Sequence, residues 1–216
     1  MKPDPGRPDA ILVRHFPSPL NEHAVSRGWL SVGIDKELAK KLVPNVARTL
    51  EKYGVDVLLS SDLPRAEESA KLIAREMDGD IPVEATRALR TWNTGDMAGK
   101  KESETIPQRM KFIKYPEEKP PGGEPFQTFL DRYQDELKEI LDRRAAGEGV
   151  GFVAHGHQIL AAPHILQGEE VDPKKLPDLD ENFAPGGVWG FWIQKDGNIR
   201  IERLDDQENK NASMDA

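Results

Sequence analysis

The chain has 216 residues, with 30 Lys and Arg against 38 Asp and Glu and a formal net charge of -8 at pH 7. That balance excludes nucleic acid or an anionic membrane as a partner held by bulk electrostatics, although a few arginines in a cleft can override an average. The length suits one α/β domain with a substantial core, and the lack of cysteine excludes disulfides, thiolate catalysis and cysteine zinc sites. Met1–Asp9 is proline-rich without the apolar core of a signal peptide, and no apolar run approaches the roughly 20 residues of a bilayer span. A soluble, cytoplasmic protein is expected.

Between polar ends at 1–9 and 205–216, expected to be flexible, strand and helix patterns alternate through a single expected domain at 10–204. Ala10–Arg14 is the first strand. Lys36–Tyr53 carries Leu38, Leu42, Val46 and Leu50 at helical spacing and stops before Gly54. Val55–Ser60 reads as a second strand. Pro64–Asp78 reads as a helix, with Asp62 as N-cap and Pro64 suited to the first turn. Pro82–Ala85 makes a short strand. Gly95–Gly123, rich in proline and glycine, reads as a lid-like excursion holding a helix at Ser103–Tyr115. Phe126–Ala146 is a long amphipathic helix, Val150–Ala154 a third strand, and His157–Leu166 starts the next helix. Gly187–Gln194 and Asn198–Arg203 flank the turn Lys195-Asp196-Gly197 as a terminal hairpin. This order predicts a three-layer α/β/α sandwich with a mainly parallel central sheet.

Two of these strands run straight into histidine: Ile11-Leu12-Val13-Arg14-His15 and Val150-Gly151-Phe152-Val153-Ala154-His155-Gly156-His157. Ligands of open α/β sheets bind outside the carboxyl ends of the strands, so two imidazoles and an arginine are expected in one pocket. A neutral imidazole is a competent nucleophile and a guanidinium clamps anions, which points to phosphoryl chemistry through a phosphohistidine. Taken alone, Arg14-His15 is equally a polar strand end. Asn21 adds a neutral donor. Ser60-Ser61-Asp62-Leu63-Pro64-Arg65-Ala66 brings Arg65 into a first helical turn, where N–H groups and the dipole favour an anion. By itself Arg65 is equally an ordinary solvated helix arginine. Gly156 permits close backbone approach after His155.

From about Ile11 to Trp192 the chain resembles the histidine phosphatase superfamily, the phosphoglycerate-mutase-like fold. The family's opening Arg-His-Gly with a later Asn stands here as Arg14-His15-Phe16-Pro17-Ser18-Pro19-Leu20-Asn21. Arg27-Gly28-Trp29-Leu30-Ser31-Val32-Gly33-Ile34-Asp35 is similar to its loop before the first helix, and Ser60–Ala66 to its second motif. Gly122-Gly123-Glu124 matches a glycine-rich step before a long helix, and His155-Gly156 its second catalytic histidine. The resemblance implies that His15 accepts the phosphoryl group while Arg14, Arg65 and His155 surround it. It further implies Asn21, Ser18 and Gly156 as phosphate-binding positions. Catalysis of this kind is positioning and electrostatics, so no metal or other cofactor is implied. The expected partner is a small phosphorylated substrate or a phosphoprotein.

The chain departs from the pattern at two places. Phe16 replaces the glycine after the nucleophile, either narrowing the pocket or packing beneath the loop. Thr91, in Leu89-Arg90-Thr91-Trp92-Asn93-Thr94-Gly95-Asp96, stands where the family commonly has the glutamate that protonates the leaving group. Asp96 is the nearest carboxylate and the candidate acid, with Glu22 and Glu124 as more distant options. A general acid contributes about 10²–10⁴-fold. Without one, a preference for aryl phosphates, acyl phosphates or phosphohistidine is expected. His157 reads as a helix cap or pocket rim, and His23 and His164 as surface or packing residues. Trp29 and Trp92 are candidate cleft walls, and Trp189 and Trp192 pack in the hairpin. The leading expectation is a phosphatase. The alternatives are a phosphoglycerate-type mutase, whose Glu-Arg-His-Tyr-Gly stretch is absent around Thr91, and a weakly active or non-catalytic phosphate-binding protein. Specificity is expected in Gly95–Gly123 and Leu166–Pro185.

Overall fold

The computed structural model describes residues 6–20, 24–172 and 183–205. β1 (Ala10–Arg14), β2 (Val57–Ser61) and β4 (Val150–Ala154) are buried at every residue, as their unbroken apolar runs require of strands covered on both faces. Their side chains alternate between two cores. Ala10, Leu12, Leu59, Val150 and Phe152 pack with α4 (Phe126–Ala145) and α5 (Gly156–Gln167). Ile11, Val13, Leu58 and Val153 pack on the other face with α1 (Lys36–Lys52) and α2 (Pro64–Glu76). Each fully buried leucine such as Leu12 or Leu50 contributes about 1.5–3 kcal/mol relative to exposure.

With β3 (Val83–Thr86), β5 (Val188–Ile193) and β6 (Ile199–Arg203), the sheet has the order β3-β2-β4-β1-β5-β6. The first four strands of that order are parallel; β5 is antiparallel to β1 and β6 to β5. This is the expected three-layer architecture closed by a terminal hairpin.

α1 begins as its sequence prescribes, with Asp35 Oδ1 accepting from the N–H groups of Glu37 and Leu38 at 3.0 Å each. α2 corrects one expectation. Leu63, not Asp62, holds the cap position, because the Asp62 carboxylate binds Arg90 through two hydrogen bonds of 2.5 and 2.7 Å. α5 starts at Gly156, one residue early, with His155 extended in the cap position.

The excursion after β3 holds a 3-10 turn at Gly95–Met97 and α3 (Glu102–Lys114). It is stitched to the loop that follows β1: Ser26 N–H donates to Lys100 O (2.9 Å), Gly99 N–H to Ser26 O (2.7 Å) and Glu102 N–H to Ala24 O (2.7 Å). Parts of the ends expected to be flexible are tied in. Pro8 O accepts from Arg144 Nε (3.2 Å) and Nη2 (2.9 Å), and Asp205 accepts from Val188 N–H and Arg203. The remainder, 1–5 and 206–216, lies outside the described residues. No described helix is long and apolar enough to cross a membrane.

Candidate active site

β1 and β4 are neighbours in the sheet, with Arg14 opposite Ala154 and His15 N–H donating to Ala154 O at 2.9 Å. Two histidines distant in sequence therefore leave the sheet side by side, ring centroids 5.2 Å apart and planes inclined by 59°. α1 packs on one face of the sheet and α5 on the other, so the pair stands at the crevice where the chain reverses direction of crossover.

His15 is fixed by its own backbone. Its Nδ1 lies 2.7 Å from Phe16 O, and a carbonyl only accepts, so the ring proton sits on Nδ1 and the lone pair on Nε2. Burial, then the charges of Arg65, Arg14 and Arg27, hold its pKa well below the ordinary histidine value. The imidazole is neutral near pH 7 and its lone pair is available. Phe16 is fully buried and belongs to the α1–α2 core, its N–H donating to Ser69 Oγ at 2.8 Å. Of its two readings, packing beneath the loop is the one realised.

His155 is oriented from β2. Its Nε2 lies 2.9 Å from Ser61 Oγ, which itself accepts the Leu63 N–H at 3.3 Å. Where the Ser61 hydroxyl donates to Nε2, the proton of the neutral His155 ring falls on Nδ1. That buried Nδ1 has no hydrogen-bond partner among the described residues. Burial, then Arg65, His15, His157 and Arg14, also hold His155 well below the ordinary value.

Three guanidiniums act on His15, and two of them, Arg65 and Arg14, act on His155 as well. Arg65, 1 % exposed, is anchored by Leu30 O (3.2 Å) and Gly28 O (2.9 Å). Its pKa is pushed down to about 9 by burial and then by Arg27 and Arg14. Arg14 donates to Phe183 O, and its Cζ lies 3.6 Å from where a Cβ on Gly156 would stand. That is ordinary contact, so crowding by Arg14 does not demand glycine at 156. Arg27 was not expected as a site residue. Its signal was Arg27-Gly28 at the start of the loop that receives Arg65. No described carboxylate is among the charges that shift His15, His155 or Arg65.

The other expected residues are placed as follows. Ser18 is buried in the loop after His15. Asn21, with Glu22 and His23, lies outside the described residues. Asp96 is exposed in the 3-10 turn, its carboxylate against Gly122, where a Cβ would come within 2.7 Å of Oδ1. None of the groups that shift either histidine is Asp96. Glu124 Oε1 is engaged by Asn93 N–H (2.9 Å) and Arg132 Nη2 (2.8 Å). Thr91 is buried, with its hydroxyl 2.8 Å from His157 Nδ1 and its carbonyl accepting from Trp29 Nε1 at 2.7 Å. Trp29 is tied to the Thr91 backbone, whereas Trp92 is fully buried core, its Nε1 donating to Glu124 O. Among the described residues no group of three or more His, Asp or Glu could hold a metal ion.

Comparison with known proteins places the chain in a family. A 2,3-bisphosphoglycerate-dependent phosphoglycerate mutase of Methylobacterium radiotolerans is 29% identical over 206 residues, covering 92% of this chain and 95% of the relative. Phosphoglycerate mutase-like protein 4 of Arabidopsis thaliana is 30% identical over 155 residues, 68% of this chain and 66% of the relative. A mycobacterial glucosyl-3-phosphoglycerate phosphatase solved with VO3 shares the fold at a TM-score of 0.69 and 18% identity, over 91% of this chain and 98% of that one. The alpha-ribazole phosphatase of Shigella flexneri does so at 0.66 and 18%, over 91% and 95%. Residues 10–181 match the family described as histidine phosphatase superfamily (branch 1), and the chain belongs to that family.

Proposed function

We propose that the protein is a metal-independent phosphatase acting on a phosphomonoester or activated phosphate through a covalent phosphohistidine on His15. The supporting observation is the cluster of guanidiniums, in which Arg14 and Arg27 both act on Arg65 and on neutral His15, with no described carboxylate among the charges that shift His15, His155 or Arg65. Such a site is relieved by an anion, and a phosphate dianion supplies the charge and the acceptors it lacks.

In the proposed reaction His15 Nε2 attacks phosphorus as the bond from phosphorus to the leaving oxygen breaks and that oxygen gains a proton. Arg14, Arg27 and Arg65 and the His155 Nδ1–H hold the three equatorial oxygens, where charge is spread in the transition state. Ser18, Asn21 and the Gly156 N–H at the start of α5 are further donors in this reading. Water then attacks the phosphohistidine, the phosphorus–nitrogen bond breaks, and inorganic phosphate leaves.

The names of the structural neighbours favour hydrolysis, and those of the sequence relatives favour a mutase. The experiment is a screen of p-nitrophenyl phosphate, acetyl phosphate and phosphoglycerates with wild type and His15→Ala. Hydrolysis lost in His15→Ala, with a phosphoryl group trapped on the His15 peptide of wild type, supports the proposal. Turnover that requires 2,3-bisphosphoglycerate supports the mutase. Phosphate binding without any turnover supports a non-catalytic protein.

A further inference from the structure

The proposed reaction needs a proton on the leaving oxygen, and the family's glutamate position holds Thr91. From the Thr91–His157 contact we infer that His157 is the proton donor, oriented by Thr91 in place of that glutamate. The inference rests on the phosphatase reading above.

Thr91 is itself fixed on its other side. Its carbonyl accepts from Trp29 Nε1 (2.7 Å) and Arg132 Nη2 (2.9 Å), so its hydroxyl is held 2.8 Å from His157 Nδ1. A hydroxyl that donates to Nδ1 places the proton of the neutral ring on Nε2; the protonated ring carries one there as well. In either state Nε2 is the donor. Trp92 and Phe129 meet the ring edge-on at 6.1 and 6.3 Å between centroids, which fixes its plane.

His157 is also close to the reacting groups. It stands in the first turn of α5, two residues beyond His155, and its charge acts on His155. The residue as a whole is half-buried, and its Nε2 is fully covered. The described carboxylates are otherwise placed: Glu124 is engaged by Asn93 and Arg132, and Asp96 is exposed against Gly122.

The step balances. As the bond between His15 Nε2 and phosphorus forms and the ester bond breaks, the His157 imidazolium gives its Nε2 proton to the leaving oxygen and becomes neutral. Neutral His157 then takes a proton from the attacking water. About the Thr91–His157 pair stand neutral His155 on α5 and, on α4, Arg132, whose Nη2 binds both Thr91 O and Glu124 Oε1. A donor must be protonated, so turnover of a poor leaving group falls as pH rises through its titration.

The test compares p-nitrophenyl phosphate, whose leaving group needs little help, with β-glycerol phosphate, whose alkoxide needs a proton. For His157→Gln we expect kcat on β-glycerol phosphate to fall about 100-fold and kcat on p-nitrophenyl phosphate to fall less than about tenfold. The alkaline limb of the β-glycerol phosphate profile should vanish with it. Thr91→Val should show the same selectivity, weaker. Thr91→Glu combined with His157→Asn should restore alkyl turnover, a gain that misfolding cannot produce. Equal losses on both substrates, an alkaline limb that persists in His157→Gln, an alkyl-selective loss in Asp96→Asn, or a wild type confined to aryl esters would each overturn the inference and leave the phosphatase reading standing. A wild type that hydrolyses neither ester, or a His15→Ala variant that still hydrolyses p-nitrophenyl phosphate, removes that reading and the inference together.

Discussion

Ser61 Oγ lies 2.9 Å from His155 Nε2, and this hydrogen bond decides which His155 nitrogen is left for a ligand. The hydroxyl also accepts the Leu63 N–H, and when it donates to Nε2 the imidazole proton lies on Nδ1. Ser61→Ala leaves a buried nitrogen without its partner. Affinity for inorganic phosphate, read by calorimetry, should fall about tenfold, and unfolding stability by about 1–2 kcal/mol. Unchanged phosphate affinity would mean that the tautomer of His155 does not matter to binding.

The fold was legible where one physical demand dominates. β1 up to Arg14 and the whole of β4 had to be apolar because helices cover both faces, and their bounds are those read from the sequence. Where two demands compete, the sequence misled. Asp62 has the composition of a helix cap, but a guanidinium is a stronger partner than two backbone N–H groups, and Arg90 took it. His15, His155, Arg14 and Arg65 were legible because strand ends and helix starts are local features. Arg27, Ser61 and the Thr91–His157 contact were not, since each depends on which loops meet across the sheet. Ser61 was in view within its motif, but nothing in sequence says that β2 lies beside β4.

The excursion between β3 and α4 is closed by Gly95. Its φ is +54°, and a Cβ there would collide with the backbone oxygen of Pro121. Gly54 also has a left-handed φ, +66°, but nothing lies within 4 Å of its Cβ position. Gly54→Ala should therefore cost only the left-handed penalty, about 1–2 kcal/mol. Gly95→Ala adds a backbone collision and should cost about 3 kcal/mol or more. Urea denaturation of the two variants checks the difference, and equal losses would show that the Pro121 contact is not required.

Stability should decline on the acid side because the site buries two neutral imidazoles. Unfolded histidines titrate near about 6.5, whereas folded His15 and His155 are held well below that. Between those values the unfolded chain binds more protons than the folded one. The stability is therefore fully present above about pH 6.5 and is lost as pH falls through the window, at about 1.4 kcal/mol per pH unit for each histidine. Denaturation midpoints at pH 8, 7, 6 and 5 should show a slope in wild type that is roughly halved in His15→Ala. Saturating phosphate should flatten it, since a bound anion favours the protonated rings. The same acid slope in both proteins would mean that other groups carry it.

Arg27 separates the stability of the fold from the affinity of the site. Its charge lowers the pKa of both His15 and Arg65, so in the unliganded protein it opposes its neighbours. With phosphate bound, the same charge becomes one of three that neutralise a dianion. The two effects have opposite signs, as in the trade-off between stability and activity at functional sites. Its ion pair with Glu102 is long, 3.9 Å, and Glu102 stands equally near Arg109 at 4.0 Å, so the loss of that pair is partly made good. For Arg27→Gln the phosphate-free melting temperature should hold or rise, while phosphate or vanadate affinity falls about 10–100-fold. Thermal melts with and without ligand read both quantities from one sample. A variant that melts lower without ligand yet keeps its affinity would place Arg27 outside the anion site and make its role structural.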